Sequence, residues 1–146
     1  MKIRKMKTSD LKQSAKFLAT AYTLPPYNQK RQDKIAYLYL KDKFNKGKNT
    51  SYVLENKGKV LGFAVCSLSY WADGRQAMLE EIVIDPEYQK RGLGKKLSVH
   101  VLKELKKMKV KSVSLWVKKK SPAYKFHTKN GFTEDGGFVV MFKNFK

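Results

Sequence analysis

The sequence has 146 residues, of which 42% are apolar, and this length and composition are typical of one folded domain. It contains 32 Lys and Arg against 12 Asp and Glu, so the formal net charge is +20 at pH 7. This composition excludes intrinsic disorder, and no apolar run reaches the roughly 20 residues that a membrane-spanning helix needs. Because Cys66 is the only cysteine and no secretory segment is recognisable, we expect a cytoplasmic protein without disulfides or a multi-cysteine metal site.

The basic charge is spread evenly along the chain. Residues 1–73 carry 15 basic and 5 acidic groups and residues 74–146 carry 17 and 7, which gives +10 in each half. A lysine-rich solvated surface explains this pattern, and a polyanionic partner, either a nucleic acid or a nucleotide-like cofactor, is the alternative. The acidic residues are scarce, yet a third of them lie within eight positions: Glu80, Glu81, Asp85 and Glu87.

The first half of the chain predicts one strand, two helices and a hairpin. Apolar residues spaced by three and four positions indicate helices, strict alternation indicates strands, and prolines and glycines mark the turns. The predicted elements are an edge strand over residues 1–7, a helix capped by Ser9 or Asp10, a helix over residues 29–44 and a hairpin over residues 51–71.

The second half predicts a strand over residues 77–85, a long helix from Gly92, a strand over residues 111–117, a short helix over residues 121–129 and two closing strands between Phe132 and Phe145. The whole pattern predicts a single α+β (mixed α/β) domain with about seven strands and four helices.

The turn between the predicted strand at residues 77–85 and the long helix has the character of an anion site. Gly92 and Gly94 let a ligand approach the backbone, while the free amides and the dipole of the helix N-terminus attract negative charge. An ordinary strand-to-helix turn explains the two glycines equally well when they are taken alone. Four cations add full positive charges: Lys90, Arg91, Lys95 and Lys96.

The pattern Gln89-x-x-Gly92-x-Gly94 resembles the acetyl-CoA pyrophosphate loop of the GNAT superfamily of N-acetyltransferases. Residues 79–86 resemble the family's fourth strand, and residues 123–132 resemble its second conserved block. Because the order of elements is similar over essentially the whole chain, the resemblance implies a GNAT-like fold over residues 1–146. That fold has a central, mostly antiparallel sheet with splayed strands 4 and 5 and helices on both faces.

The resemblance also implies acetyl-CoA as a co-substrate. Strand residues Ile82, Val83 and Ile84 would then offer backbone groups to the pantetheine arm, and the loop amides would hold the pyrophosphate. The ends of the two splayed strands would leave a slot for the acetyl thioester. The implied cofactor-binding residues are Ile82, Val83, Ile84, Gln89, Lys90, Arg91, Gly92, Leu93, Gly94, Lys95, Ala123 and Phe126.

Acetylation of an amine needs a base for the amine and an acid for the departing thiolate. Glu81 and Glu80 are the candidate catalytic bases, and since side chains alternate along a strand, we expect only one of them to face the cleft. The resemblance slightly favours Glu81. His127 stands where the family commonly has a tyrosine acid, which leaves the acid open between His127 and Tyr124. Surface ion pairs for the glutamates and simple packing for His127 are the structural alternatives.

The acceptor amine would lie near the first two helices. Residues 21–28 resemble a segment of GNAT proteins related to aminoglycoside 6'-N-acetyltransferases. Tyr22 and Tyr27 are therefore candidate substrate-binding residues, and with Tyr37 and Tyr39 they could form an aromatic wall for an amine. Ordinary packing of amphipathic helices explains the same tyrosines about as well.

The leading interpretation is an acetyl-CoA-dependent N-acetyltransferase that acts directly on a primary amine of a small molecule or peptide. The alternatives are an acetyl-CoA-binding protein with little turnover, because His127 replaces the usual tyrosine, and a basic nucleic-acid-binding module. We expect no metal site, no membrane association and no preference for nucleic acid. An edge at the closing strands could pair with a second copy to form a homodimer.

Overall fold

A computed structural model describes residues 1–145, and the chain divides by its internal contacts into two units, residues 1–116 and the part from Val117 onward. The second unit contains α4 (Pro122–Lys129). The elements of the first unit are β1 (Lys2–Lys5), α1 (Leu11–Thr23), α2 (Asp33–Lys46), β2 (Tyr52–Asn56), β3 (Lys59–Trp71), β4 (Gly74–Ile84), α3 (Leu93–Lys107) and β5 (Ser112–Ser114).

The strands within residues 1–145 form one five-stranded sheet in the order β1-β2-β3-β4-β5. All neighbours pair antiparallel except β4 and β5, which pair in parallel. The β2–β3 hairpin turns at Lys57 and Gly58, whose φ angles of 48° and 80° suit the turn geometry that matches the twist of two paired strands. The mixed α+β class is thereby confirmed.

Helices cover both faces of the sheet in the first unit. On one face, α3 buries Leu97 and Val101 against the sheet, and on the other face α1 and α2 bury Leu18 and Leu40 against Phe63. Each such fully buried side chain contributes about 1.5–3 kcal/mol to folding. These two clusters fix the sheet between α3 and the α1–α2 pair. No helix in the part of the chain that the structure describes is long and apolar enough to cross a membrane.

The prediction of two closing strands is wrong, because the described residues after Gly131 contain no strand. The five apolar side chains from Phe138 to Phe142 are between 53% and 87% exposed. Alternation gives a segment β-propensity, but a strand forms only where a neighbour pairs with its backbone groups. The sheet edge on which the homodimer prediction depended is therefore not formed, and the predicted strand at residues 111–117 is reduced to Ser112–Ser114.

Arg4 links β1 to two acidic residues. Its Nη1 and Nη2 donate to Asp10 Oδ2 at 2.8 Å and to Oδ1 at 2.9 Å, and its Nε donates to Glu55 Oε2 at 2.7 Å. The buried Asp10 carboxylate also accepts the N–H of Lys7 at 2.7 Å. Asp10 therefore does not cap α1 with its side chain, because that carboxylate is already held by Arg4 and Lys7.

We expect Arg4→Met to lower the free energy of unfolding by about 2 kcal/mol at pH 7, less than for a fully buried ion pair because Arg4 is partly exposed. Burial raises the pKa of Asp10, but the bonds from Arg4 and Lys7 outweigh it and hold that pKa below its usual value. A carboxyl group with a lowered pKa contributes stability that is lost as the pH falls through its folded-state pKa.

Urea unfolding from pH 7 down to pH 2 tests this expectation, since the difference between parent and Arg4→Met should shrink as Asp10 becomes protonated. Arg31→Met is the matched control, because its partner Asp33 is exposed and the variant should unfold like the parent. If Arg4→Met and Arg31→Met lost equal amounts of unfolding free energy, the stabilising role of the Arg4–Asp10 pair would be contradicted.

Candidate functional site

Glu80 and Glu81 face the same side of the sheet because β4 contains a β-bulge. Val65 of β3 pairs with Glu81, and the next residue of β3, Cys66, pairs with Leu79, so Glu80 has no direct partner across the pair. β4 thus has one residue more than β3 at this point, and an extra residue of this kind interrupts the alternation of side chains along the strand. The expectation that the two glutamates point to opposite faces of the strand is therefore wrong, since both contact side chains of the α1–α2 pair.

Glu81 is held by two tyrosine hydroxyl groups from different helices. Tyr22 of α1 donates to Glu81 Oε1 at 2.7 Å, and Tyr39 of α2 donates to the same oxygen at 2.8 Å. No residue within positions 1–145 donates a hydrogen bond to Oε2. Two fixed donors on one oxygen thus leave the second oxygen available to a ligand.

The pKa of the Glu81 carboxyl group is raised. Burial is the largest cause, and the charge of Glu80 raises the pKa further, while the bonds from Tyr22 and Tyr39 and the charge of Lys43 lower it. A carboxylate that accepts a proton near neutral pH benefits from a raised pKa, because the proton is then transferred more favourably.

Glu80 differs from Glu81 because both of its oxygens have protein partners. Ser67 Oγ donates to Glu80 Oε1 at 2.9 Å, and Lys43 Nζ lies 3.5 Å from Glu80 Oε2. The Lys43 ammonium also lies 5.5 Å from the ring centroid of Tyr39. Neither Lys43 nor Ser67 was predicted from the sequence, although the four-residue spacing of Tyr39 and Lys43 on α2 places these two side chains on the same face of the helix.

A cavity of about 290 Å³ adjoins Tyr22 and Tyr39 and is lined by α1, α2 and the loop between them. Glu81 is not among its lining residues, but the two tyrosines that line the cavity both donate to Glu81. The ring of Tyr27 lies 4.8 Å from that of Tyr22, whereas Tyr37 packs against the α1–α2 core. The other lining residues are Leu18, Ala19, Gln29, Lys30, Gln32, Ile35 and Ala36.

The turn between β4 and α3 presents free backbone donors. The first bond of α3 runs from Lys96 N–H to the Gly92 carbonyl at 3.1 Å, so the amides of residues 93–95 have no partner within the helix. Gly92 has φ = 76°, a conformation that favours glycine, and a Cβ added there would meet no atom within 4 Å. The turn therefore offers amides at an open surface.

The predicted anion-binding residues are placed around these amides. Gln89 is exposed, and its Nε2 donates to the Ile84 carbonyl at 3.0 Å, which ties the turn to the end of β4. The guanidinium of Arg91 lies 5.2 Å from the ring centroid of Tyr88. This combination of free amides, open space and cations is the donor set that a diphosphate requires. The exposed cations are Lys90, Arg91, Lys95 and Lys96.

Within the first unit, the edge of β4 that faces away from β3 has no strand partner over its second half. β4 pairs with β5 only from Gln76 opposite Ser112 to Met78 opposite Ser114. Within the first unit, residues 79–84 have strand pairing on the β3 side alone. This open segment contains Glu81 and the three strand residues that the resemblance implies for the pantetheine arm: Ile82, Val83 and Ile84.

In the second unit, α4 contains Ala123, Tyr124, Phe126 and His127. The predicted short helix is confirmed, and Ser121 Oγ caps it by accepting the Tyr124 N–H at 3.0 Å. The buried His127 ring makes edge contacts with Phe126 and Phe132, with centroids 5.1 and 5.5 Å apart.

Burial also lowers the pKa of His127. The predicted imidazolium proton donor is therefore disfavoured near neutral pH, because this side chain is mostly uncharged there.

Across the described residues 1–145, no three His, Cys, Asp or Glu side chains are close enough to hold a metal ion. Cys66 is fully buried, and burial raises the pKa of its thiol to about 12, which keeps it protonated and unreactive at neutral pH.

Three comparisons with known proteins bear on this site. The chain is 29% identical over 108 residues to the uncharacterized N-acetyltransferase MJ1207 of Methanocaldococcus jannaschii, a match that covers 71% of this chain and 48% of that protein. The chain therefore spans about half the length of the curated relative it matches.

Two solved structures share the fold at low sequence identity. A possible acetyltransferase from Clostridium difficile superposes with a TM-score of 0.84 at 17% identity, covering 99% of this chain and 98% of that one. A predicted acetyltransferase from Clostridium acetobutylicum, solved with acetyl-CoA, superposes with a TM-score of 0.71 at 16% identity, covering 97% and 95%.

The family model described as "Acetyltransferase (GNAT) family" matches residues 14–132, which include both glutamates, the β4–α3 turn and α4. The match covers most of the chain and agrees with the five-stranded mixed sheet, and the chain belongs to the GNAT family of acetyltransferases.

Proposed function

We propose that the chain is an acetyl-CoA-dependent N-acetyltransferase that transfers an acetyl group directly to a primary amine. One observation carries this proposal: the open half of β4 contains Glu81, whose Oε2 accepts no hydrogen bond from residues 1–145, and leads directly into the candidate anion-binding turn before α3. A proton acceptor and a diphosphate cradle thus lie on one continuous segment, as acetyl transfer from a nucleotide-like cofactor requires.

The turn would hold acetyl-CoA through its pyrophosphate, and acetyl-CoA supplies an activated thioester when it is bound. The amides of residues 93–95 and the cations Lys90 and Arg91 would hold the two phosphates. Gln89 acts indirectly, since its side chain fixes the turn to Ile84. The open edge of β4 leaves the backbone of Ile82 and Val83 available to the pantetheine arm.

Glu81 is the proposed base, because its Oε2 has no donor among the described residues, whereas both oxygens of Glu80 are held by Ser67 and Lys43. Oε2 takes a proton from the acceptor amine, directly or through a water molecule, as the C–N bond forms and the C–S bond breaks. The thiolate then needs a proton. Tyr124 is the better of the two candidate donors, since burial disfavours the charged form of His127.

The cavity beside Tyr22 supports an acceptor amine that carries an apolar or aromatic portion. Its walls combine aliphatic side chains with tyrosine rings, which pack against apolar groups and attract cations. The resemblance of residues 21–28 to the branch related to aminoglycoside 6'-N-acetyltransferases adds amino sugars to the classes that deserve testing, beside peptide amines. We place the reaction in the cytoplasm because the lone Cys66 suits a reducing compartment.

Calorimetry with acetyl-CoA at moderate salt tests the proposal, with ATP as an equally anionic control for general attraction to the +20 chain. We expect acetyl-CoA to bind at least tenfold more tightly than ATP, since only acetyl-CoA has a pantetheine arm. Equal affinities, or no binding of either, would contradict the proposal.

A second candidate, an acetyl-CoA-binding protein with little turnover, is favoured by the buried and mostly uncharged His127. A panel of amines, assayed by thiol release, separates the two functions. Tight binding of acetyl-CoA without release of thiol in any member of the panel would favour the second candidate.

A further inference from the structure

Two hydroxyl groups from different helices meet on one oxygen of Glu81. Tyr22 reaches Oε1 from α1 and Tyr39 reaches it from α2, at 2.7 and 2.8 Å. A single donor would let the carboxylate rotate about its last bond, whereas two donors from different directions fix its plane. Fixing the carboxylate in this way selects which of its two oxygens is presented to a ligand.

We infer that Tyr22 and Tyr39 are positioning residues for the base, and that they hold Glu81 through Oε1 so that Oε2 receives the proton of the acceptor amine. This inference rests on the proposed acetyl transfer. In that step one amine N–H bond breaks, its proton goes to Oε2, the nitrogen lone pair forms the C–N bond, and the C–S bond electrons leave with the thiolate. The tyrosine hydroxyls keep their own protons throughout.

The surroundings of Glu81 leave the tyrosines as its only hydrogen-bond donors within the described residues. From β3, the facing side chains Val65 and Ser67 carry no charge. The titratable and charged groups that act on Glu81 come from four elements: Tyr22 of α1, Tyr27 of the following loop, Tyr39 and Lys43 of α2, and Glu80 of β4 itself. Loss of a tyrosine hydroxyl therefore removes a bond that no neighbouring donor replaces.

The same two tyrosines line the cavity, which couples its occupant to the base. In this proposal the apolar portion of the acceptor packs against the rings of Tyr22 and Tyr39, and its amine extends beyond the cavity to Glu81 Oε2. Phenylalanine keeps the ring and therefore the shape of the cavity, but it removes the hydroxyl. Binding of the acceptor and orientation of the base can therefore be separated by experiment.

We expect Tyr39→Phe to lower kcat roughly tenfold and Tyr22→Phe/Tyr39→Phe roughly a hundredfold, with KM for the acceptor little changed. The acidic limb of the pH profile of kcat/KM should move to higher pH in both variants, because the lost bonds are those that lower the pKa of Glu81. A merely structural role for the tyrosines would not move this limb.

Tyr37→Phe is the matched control, since Tyr37 lies on α2 and packs against the core. The acidic limb of the kcat/KM profile of Tyr37→Phe should coincide with that of the parent. Circular dichroism and the thermal midpoint identify any variant that has lost its fold, and the single variant Tyr22→Phe provides a second test if the double variant does not fold.

A readout independent of turnover is the titration of the Glu81 carboxyl carbon by ¹³C NMR, assigned with Glu81→Gln. The pKa from this titration should rise from parent to Tyr39→Phe and again in the double variant. An unmoved pKa in both variants would overturn the tyrosine inference. Absence of acetyl transfer by the parent enzyme would instead overturn the proposed function, so the two failures are distinguishable.

Discussion

Glu81→Gln lowers kcat/KM by roughly 10²–10⁴ and raises the free energy of unfolding at pH 7, if Glu81 is the base. The loss of activity follows because an amide cannot accept the proton of the amine. The gain in stability follows because burial raises the pKa of Glu81, so the folded state carries a costly carboxylate. Tyr22 and Tyr39 can still donate to the amide oxygen.

The gain in stability has a defined pH dependence. Below the pKa of the unfolded chain, about 4.3, Glu81 is protonated in both states and does not oppose folding. As the pH rises above that value, the unfolded state loses its proton first, and the parent loses stability until the folded-state pKa is passed. Urea unfolding at pH 4 and pH 8 should therefore show a larger advantage of Glu81→Gln at pH 8.

Glu80→Gln is the matched control for both effects of Glu81→Gln, the loss of kcat/KM and the gain in the free energy of unfolding. It removes the ion pair with Lys43 but leaves Glu81 and both tyrosine bonds in place, so we expect less than a tenfold loss in kcat/KM. It should not gain stability at pH 8, because its carboxylate is already paired with an ammonium group. Equal loss of activity in the two variants would show that the base is not Glu81 alone.

We expect Gly92→Asp to weaken acetyl-CoA binding roughly a hundredfold and Gly92→Asn to weaken it much less. Both side chains tolerate positive φ better than other residues do, and the space around a Cβ at Gly92 is open, so either residue fits the turn. Only Asp places a negative charge among the amides of residues 93–95. A charge close to a phosphate in a partly exposed site has an energy of a few kcal/mol, about a hundredfold in affinity.

Titration calorimetry with acetyl-CoA measures this difference, and thermal unfolding verifies that the two variants have similar stability. Added salt should reduce the difference in acetyl-CoA affinity between Gly92→Asp and Gly92→Asn, because screening weakens charge repulsion at an exposed site. Similar affinities in the two variants would contradict a pyrophosphate at this turn and would require the cofactor contacts to be sought elsewhere on the chain.

Much of the site was predictable from local patterns. The turn from Gln89 to Gly94 was recognisable because positive φ and free amides at a helix N-terminus need specific residues at fixed spacing. The hairpin at Lys57-Gly58 and the helix capped by Ser121 were predicted for the same reason. Such signals involve residues within a few positions of one another, and the chain carries them before it folds.

The sequence by itself therefore determined the mixed α+β class, the glycine-containing turn before α3, the resemblance to the GNAT family and the pair of candidate bases. Only the tertiary structure decided which groups surround those bases. The bulge at Glu80 depends on how β3 pairs with β4, and the bonds from Tyr22 and Tyr39 join residues 59 and 42 positions apart from Glu81. The prediction of two closing strands was wrong for the same reason. Alternation of apolar and polar residues gives a segment β-propensity, but a strand also needs a partner strand with which to pair. Contacts between distant segments come from packing and not from local periodicity, so they could not be predicted from the order of residues along the chain.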